Sequence, residues 1–341
     1  MNNSALERKA LRWGVLGAGG IAQQFVAELG GSAEAPIVAA ASRDGDRAAA
    51  LVAQIDGATA YSDYEALLRD TRVDAVYVAT IHPHHEELVV AAASAGKHIL
   101  CEKPITMDAF SAQSAIAAAS SRGVALVEAM MYRFQPQTEE IRRLLADGAI
   151  GRPMHIDVAC VADVPFDPRS RLYDPRLGGG AILDVGCYAM SYARMVAGWV
   201  AGDDSVEPVS FSAAGHLAET GVDDWAEAEL AFADGFSASV RTGIRPKDPS
   251  EACISGSEGY LRIPNPWTPG KNGEPQLVLH RVGAEAETIT TPALPLFGAE
   301  VSAVADAIER GESERITLRD SLATMRALDR WRAATAAPAS R

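Results

Sequence analysis

The first third of the chain alternates short apolar runs with alanine-rich amphipathic segments. Five runs have the length of a strand and are apolar at nearly every position, which is typical of parallel strands buried on both faces: RWGVLGA, PIVAAAS, DAVYVAT, KHILCEK and GVALVEA. The intervening segments carry apolar residues at helical spacing, as in GGIAQQFVAELGG and HHEELVVAAASAG. This alternation predicts an α/β domain with a doubly wound parallel sheet over residues 1–128.

The pattern changes beyond residue 128. A helix, PQTEEIRRLLADGAIG, precedes the strand MHIDVACVADV, and a second helix is predicted from about residue 180 to 198. Segments in which apolar and polar residues alternate follow: AEAELAFADG, FSASVRTGI, EACISGSEG, YLRIP and PQLVLHRV. Alternation with period two predicts antiparallel strands, and helices near 297–310 and 318–334 come after them. Residues 129–341 are therefore predicted to form an α+β domain with an open, largely antiparallel sheet.

Composition narrows the choice of partners. The 341 residues are too many for one ordinary core, which agrees with two domains. A net charge of −14 disfavours nucleic acid, because binding to it depends on neutralising phosphates with lysine and arginine. No apolar run is long enough to predict a membrane span, the start lacks the form of a signal peptide, and the four cysteines are scattered. We therefore expect a cytoplasmic protein with a small-molecule ligand.

A glycine-rich turn follows the first predicted strand. In GVLGAGGIA, Gly17, Gly19 and Ala22 form the pattern G-x-G-x-x-A at the start of a helix. Such glycines let the backbone approach a pyrophosphate that lies at the positive end of the helix. The context predicts dinucleotide binding, and Gly20 and Ile21 of the same turn are assigned to the cofactor site.

The end of the second strand favours NADP over NAD. Ser42 and Arg43 stand where an NAD enzyme normally carries an acid for the adenosine ribose, and Arg47 follows one helical turn later. A guanidinium can bind a 2′-phosphate through two hydrogen bonds, and a serine hydroxyl can add another. The alternative is that Arg43 is a solvated loop residue and that Asp44 binds the ribose.

Two further segments carry candidate chemistry. In LCEKPIT, Glu102 and Lys103 end a strand of the parallel sheet, and ligands of such sheets bind at the carboxyl ends of the strands. The role of Glu102 stays open between cofactor contact and positioning of Lys103. In GGGAILDVGCYAM, Asp184 and Tyr188 are four residues apart and share one face of a predicted helix.

These segments together resemble the glucose-fructose oxidoreductase / inositol dehydrogenase / MocA (Gfo/Idh/MocA) family. The resemblance is carried by GVLGAGGIA, IHPHHEELVVAAASAGKHILCEKPIT and GGGAILDVGCY, and it covers nearly the whole chain. It implies a Rossmann domain, a second domain whose open sheet mediates a homodimer or homotetramer, and NAD(P)-dependent redox chemistry at CH–OH groups. By motif, Lys103 is the catalytic lysine and Asp184 the carboxylate that binds substrate. Tyr188 replaces the histidine of many members, as in the branch with dihydrodiol dehydrogenases, xylose dehydrogenases and sugar 3-ketoreductases.

The resemblance therefore implies an NADP-dependent enzyme that acts on a sugar, a polyol or a related cyclic alcohol or ketone. Tyr188 would exchange a proton with the substrate oxygen, and the ammonium of Lys103 would lower the pKa of the phenol. Two alternatives remain: a trans-dihydrodiol dehydrogenase, and a non-catalytic NADP-binding sensor on the same fold.

Several other residues are assigned with less support from the pattern. Thr80 and His85 are assigned to the cofactor site, His85 because the family often has histidine there, near the nicotinamide. Tyr132, Arg133 and Tyr173 are candidates for the substrate cleft, although a packed tyrosine and a structural arginine ion pair explain the first two equally well. No metal site is expected from the histidine-rich segment IHPHHEE, because its proline and acids suit the first turn of a helix.

Overall fold

The computed structural model describes residues 10–245, 249–271 and 273–336. Its amino-terminal part is a six-stranded parallel sheet in the order β3-β2-β1-β4-β5-β6, which is the Rossmann order. The strands are β1 (Trp13–Leu16), β2 (Ile37–Ala41), β3 (Thr59–Tyr61), β4 (Ala75–Val78), β5 (His98–Glu102) and β6 (Leu126–Ala129). The five apolar runs all form strands, so the predicted doubly wound sheet is confirmed. The pattern missed β3, a three-residue edge strand with no fully buried position.

Helices connect these strands and cover both faces of the sheet. They are α1 (Gly20–Leu29), α2 (Gly45–Val52), α3 (Tyr64–Leu68), α4 (His85–Ser94) and α5 (Ala109–Arg122). Aspartates begin α2, α3 and α5, where each carboxylate accepts hydrogen bonds from backbone N–H groups of the first turn. Gly96 and Gly123 follow the ends of α4 and α5 with positive φ angles of 70° and 64°, as their positions in the sequence predict.

The second part is built around an eight-stranded sheet in the order β14-β13-β12-β11-β7-β10-β9-β8. Only the β7–β10 pair is parallel among the described strands of this sheet, so the predicted, largely antiparallel character is confirmed. The strands are β7 (Pro153–Val161), β8 (Ser210–Leu217), β9 (Asp223–Ala231), β10 (Ser237–Gly243), β11 (Ala252–Gly256), β12 (Gly259–Ile263), β13 (Gln276–Arg281) and β14 (Glu287–Thr290). The sequence pattern missed the edge strands β8 and β14, whose residues are mostly exposed.

Helices pack against this sheet and join the two parts. They are α6 (Pro136–Ala146), α7 (Cys187–Ala201), α8 (Leu296–Arg310) and α9 (Leu318–Ala336), and a π-helical turn (Ile182–Gly186) leads into α7. The last two helices return to the Rossmann part: Phe297 of α8 packs edge-on against Phe25, which stacks on Tyr77 of β4 at 4.2 Å. No helix within the described ranges is long and apolar enough to cross a lipid bilayer.

The boundary at residues 128 and 129 stays a prediction, and β6 runs one residue past it. Glu128 of this strand is buried and accepts a hydrogen bond from the Ile105 N–H at 2.9 Å. Burial raises the pKa of its carboxyl from 4.5 to about 7, and nearby Asp320 adds to the shift whereas Arg133 opposes it. Burial raises the pKa of the Cys101 and Cys187 thiols, and the Glu128 carboxyl contributes to both shifts. Glu128 is therefore neutral in the folded protein well above the pH at which it ionises in the unfolded chain.

The raised pKa of Glu128 predicts a specific pH dependence of stability. The folded state holds the Glu128 proton more tightly than the unfolded chain does. The contribution of this group to the free energy of unfolding is therefore complete below pH 4.5 and is lost as the pH rises to about 7. We expect Glu128→Gln to remove up to about 3 kcal/mol of this pH-dependent change in the free energy of unfolding. Urea unfolding at a series of pH values measures it, with the exposed Glu285→Gln as the control that keeps the wild-type dependence. Parallel curves for wild type and Glu128→Gln would contradict the assignment.

Candidate active site

A cavity of about 770 Å³ lies at the carboxyl ends of the Rossmann strands, where the order of the strands reverses between β1 and β4. It brings together most of the residues that the sequence singles out. They are Gly17, Gly19, Gly20, Ile21, Ser42, Arg43, Arg47, Thr80, Glu102, Lys103, Asp184 and Tyr188. A larger cavity of about 1250 Å³ lies in the second part of the molecule, but of the predicted residues only Arg133 lines it. The smaller cavity is therefore the candidate active site.

The glycine turn leaves room for a phosphate group. Gly17 has a φ angle of 114°, and a Cβ there would lie 2.6 Å from the Ala79 carbonyl oxygen, so only glycine fits. A Cβ at Gly19 or Gly20 would meet no atom within 4 Å, which leaves an open side next to the start of α1. The first turn of α1 has no side-chain cap. Its free N–H groups and the open glycine turn fit a pyrophosphate.

The opposite end of the cavity carries the residues expected at the adenosine ribose. The Asp44 carboxylate caps α2, since its Oδ1 accepts from the N–H groups of Asp46 and Arg47. Arg47 donates to the Ala18 carbonyl oxygen at 2.7 Å, and both Arg43 and Arg47 are exposed. The geometry thus turns the acid toward its helix and leaves the Arg43 guanidinium at the cavity. Tyr64 of α3 also lines this end, and no sequence motif marks it.

Lys103, Asp184 and Tyr188 meet at the other end of the cavity. Lys103 follows β5 and precedes a cis peptide bond to Pro104. Its Nζ donates to the Asp184 carbonyl oxygen at 2.5 Å and lies 4.8 Å from the centre of the Tyr188 ring. Asp184 belongs to the π-helical turn and Tyr188 to the first turn of α7. The three residues therefore form one constellation, built from both parts of the molecule.

Three cationic or polar side chains surround the carboxylate of Asp184. Arg171 Nη1 donates to Asp184 Oδ1 at 3.0 Å, and Lys103 Nζ and His82 Nε2 each lie 4.0 Å from that oxygen. Burial raises the pKa of Asp184, but the positive charges of Lys103 and Arg171 outweigh it, so the net shift is downward. Burial lowers the pKa of His82 to about 3, which keeps its ring neutral. The sequence analysis missed Arg171, and the only signal was an arginine-rich stretch before the three glycines.

The expected effect of Lys103 on the Tyr188 phenol is wrong in this structure. Burial, followed by the nearby carboxyl of Glu102, raises the pKa of Tyr188 well above its ordinary value. The Lys103 ammonium lies over the ring face and donates a hydrogen bond to the Asp184 carbonyl oxygen, and its charge does not outweigh burial. Tyr188 is therefore held as a neutral phenol, which is the proton-donating form.

Glu102 links two strands beneath the site. It is buried, and its carboxyl accepts hydrogen bonds from the Tyr77 hydroxyl and, through Oε2 at 3.2 Å, from the Lys103 N–H. Burial raises its pKa, although the charge of Lys103 opposes this. These contacts support a role in positioning Lys103, and its place in the cavity wall keeps cofactor contact open.

His85 does not line the cavity, in contrast to the expectation that it contacts the cofactor. Its ring is fully buried, with Nδ1 2.9 Å from the Pro104 carbonyl oxygen and Nε2 3.1 Å from the Thr80 carbonyl oxygen. His85 therefore ties together two segments of the cavity wall. His82, from the same histidine-rich segment, lines the cavity instead.

The three candidate substrate residues also lie outside this cavity. Tyr132 is buried and donates to Ser191 Oγ at 3.0 Å, and Arg133 forms a buried ion pair with Asp320 at 2.8 Å. The structural alternative considered for both therefore describes them. Tyr173 is buried as well, and its hydroxyl donates to the Val164 carbonyl oxygen at 2.9 Å. Within the described ranges, no group of three or more His, Cys, Asp or Glu side chains is arranged to hold a metal ion.

The fold and the cavity define an oxidoreductase with an NAD(P)-binding Rossmann domain, and comparisons with known proteins agree. The family model described as "Oxidoreductase family, NAD-binding Rossmann fold" matches residues 11–130, and that of the GFO/IDH/MocA C-terminal domain matches residues 138–262. The chain belongs to the Gfo/Idh/MocA family, as the resemblance of its motifs predicted.

Relatives of known activity and structure support this assignment. The chain is 36% identical to a trans-1,2-dihydrobenzene-1,2-diol dehydrogenase of Mus musculus over 270 residues, which are 78% of this chain and 79% of the relative. It is 32% identical to an NADP+-dependent D-xylose 1-dehydrogenase of Haloferax volcanii, over 94% and 95% of the two chains. Its structure is similar to that of a 3-ketoreductase from Actinomadura kijaniata in complex with NADP and TDP-benzene. The TM-score is 0.85 and the identity 30%, over 96% and 98% of the two chains.

The environment of Tyr188 predicts the titration of its phenol. The ordinary pKa of tyrosine is about 10. Because burial and Glu102 disfavour the phenolate, we expect Tyr188 to ionise above that value in the protein without cofactor. The difference in tyrosinate absorbance between wild type and Tyr188→Phe, recorded against pH, isolates this group. A difference that develops near neutral pH would show that Lys103 dominates after all.

Proposed function

We propose that the protein is an NADP-dependent oxidoreductase that transfers a hydride between the nicotinamide and a sugar or a related cyclic alcohol or ketone. The observation that carries this proposal is the meeting of Lys103, Asp184 and Tyr188 in the same cavity as the glycine turn. Nucleotide site and proton-transfer groups thus share one space, as hydride transfer requires.

The residues at the nucleotide end fit NADP. Gly19, Gly20 and the start of α1 would hold the pyrophosphate, and Ser42 and Arg43 would hold the 2′-phosphate. When bound, the cofactor would supply the hydride donor or acceptor. The preference for NADP is supported by the orientation of Asp44 toward its own helix, and by the NADP in the names of the xylose dehydrogenase and the 3-ketoreductase complex.

The protein's own side chains would handle the proton and the orientation of the substrate. Tyr188, held as a neutral phenol, would donate its proton to the carbonyl oxygen in reduction and recover one from the hydroxyl in oxidation. Lys103 would stabilise the negative charge that develops on the oxygen or on the phenolate, since its ammonium lies 4.8 Å from the ring centre. The Asp184 carboxylate would accept a hydrogen bond from a neighbouring substrate hydroxyl and thereby select the carbon that reacts.

A trans-dihydrodiol is the second candidate substrate. It is supported by the 36% identity to the mouse dihydrodiol dehydrogenase. Comparison of NADP reduction with D-xylose and with trans-1,2-dihydrobenzene-1,2-diol discriminates between the two. Cofactor binding without turnover of either class, or of other sugars, would favour the sensor instead.

We further propose a homodimer or homotetramer that forms through the eight-stranded sheet. On its outward face, Ser237 and Ser239 are half-buried and Arg241 is exposed, while the alternate residues of β10 face the core. The cytoplasmic location stays a prediction from the sequence.

The proposed roles of Lys103 and Tyr188 predict the effects of their removal. We expect Lys103→Ala and Tyr188→Phe each to lower kcat by about 100-fold or more, with the affinity for NADP largely kept. Steady-state kinetics and a fluorescence titration with NADP measure the two quantities. Tyr192→Phe, which alters a buried tyrosine outside the cavity, and the exposed Lys271→Ala are the matched controls. Near-normal turnover in both site variants would rule out the assignment.

The assignment of the 2′-phosphate site predicts a change in cofactor preference. We expect Arg43→Ala to raise KM for NADP by about 10- to 100-fold, because it removes a charge-assisted contact, and to leave KM for NAD nearly unchanged. The exposed Arg69→Ala on the neighbouring α3 region serves as the control. A wild-type preference of tenfold or more for NAD over NADP would contradict the cofactor assignment.

A further inference from the structure

Arg171 lies in the wall of the cavity beside the carboxylate that is expected to orient the substrate. Only its Nη1 takes part in the 3.0 Å hydrogen bond to Asp184 Oδ1, whereas a guanidinium offers five N–H donors in a planar fork. About half of its side chain, 46%, stays exposed. The side chain can therefore reach a ligand while it stays next to Asp184.

Two cations, Arg171 and Lys103, face the ionised carboxylate of Asp184. The carboxyl of Glu102 lies beneath the site, where it accepts hydrogen bonds from the Tyr77 hydroxyl and the Lys103 N–H, and burial raises its pKa. The His82 ring is neutral. The chain as a whole carries −14, so this local excess of positive charge opposes the overall field. An excess charge in a partly buried site is costly unless a ligand of opposite charge compensates it.

The loop that carries Arg171 is held in place on its far side. Tyr173 is buried against Phe166, with ring centres 4.9 Å apart, and its hydroxyl donates to the Val164 carbonyl oxygen. Behind the loop, a Cβ at Gly179 would lie 2.8 Å from the Leu172 carbonyl oxygen, so the packing requires glycine. The loop thus presents Arg171 from a packed base, which limits the entropy lost when the side chain binds a ligand.

On the basis of the oxidoreductase function proposed above, we propose that Arg171 determines specificity by binding an acidic group of the substrate. The preferred substrate is then a sugar or cyclic alcohol that carries a carboxylate or a phosphate close to the reacting hydroxyl. Both groups match the planar guanidinium, which binds either through two parallel hydrogen bonds. Asp184 would stay next to Arg171 and accept a hydroxyl of the same substrate.

The test compares sugars that share one ring and differ in charge: D-glucose, D-glucuronate and D-glucose 6-phosphate. kcat/KM with NADP is measured for each, and binding to the protein loaded with reduced cofactor is measured by calorimetry. We expect the wild type to prefer at least one acidic sugar over glucose by about tenfold or more. We call the kcat/KM for the acidic sugar divided by that for glucose the acidic-sugar ratio. In Arg171→Gln this ratio should fall by about 10- to 100-fold, and in Arg171→Lys by less.

Arg169→Gln is the matched control, because Arg169 lies two residues away on the same loop, is largely exposed and does not line the cavity. The kcat/KM ratio of acidic sugar to glucose in Arg169→Gln should equal that of the wild type. The proposal is overturned if the wild type shows no preference for an acidic sugar, or if Arg171→Gln leaves the ratio unchanged. It is also overturned if Arg171→Gln weakens NADP binding as strongly as it weakens the acidic sugar, because Arg171 would then be a cofactor residue. If the wild type turns over no sugar, neutral or acidic, the proposed function itself fails.

Discussion

The contact between Lys103 Nζ and the Asp184 carbonyl oxygen joins the two halves of the active site. Lys103 comes from the end of a buried parallel strand, and Asp184 from a π-helical turn in the other part of the chain. The bond fixes where the ammonium lies, and thereby its distance from both the Tyr188 ring and the Asp184 carboxylate. Burial of the Tyr188 ring and the nearby carboxyl of Glu102 keep the phenol beside it neutral. Every chemical role proposed for the site depends on this geometry.

The layout of the fold could be read from the sequence because it follows from local patterns. Buried parallel strands are apolar throughout and the meander alternates, so both sheets left a clear signal. The strands that the sequence pattern did not predict, such as β3 and β14, are edge strands with few buried side chains, so their sequences lack this signal. The glycine turn was predictable for a similar reason, since Gly17 has a backbone conformation that other residues rarely adopt.

The site was only partly predictable, because the sequence motifs fix the position of a side chain in an element and not its partners. Lys103, Asp184 and Tyr188 lie where their motifs indicate. Arg171 reaches the same carboxylate from a turn and His82 from a short 3-10 helix, and both positions depend on packing between the two parts. For Arg133 the sequence left a place in the substrate cleft and a structural ion pair equally open, and in the structure it pairs with the buried Asp320. The predicted direction of the Tyr188 pKa shift was wrong for a similar reason, because the shift depends on burial and on the nearby carboxyl of Glu102.

The return of α8 to the Rossmann sheet has a consequence for synthesis of the protein. Phe297 completes an aromatic cluster with Phe25 and Tyr77, so a helix near the end of the chain supplies part of the core of the first domain. When only the amino-terminal part has emerged from the ribosome, the core of this domain is therefore still incomplete. Until α8 emerges, the rings of Phe25 and Tyr77 are not packed against Phe297 and can form non-native contacts. The nucleotide-binding half, although first in sequence, is among the last parts of the molecule to become complete.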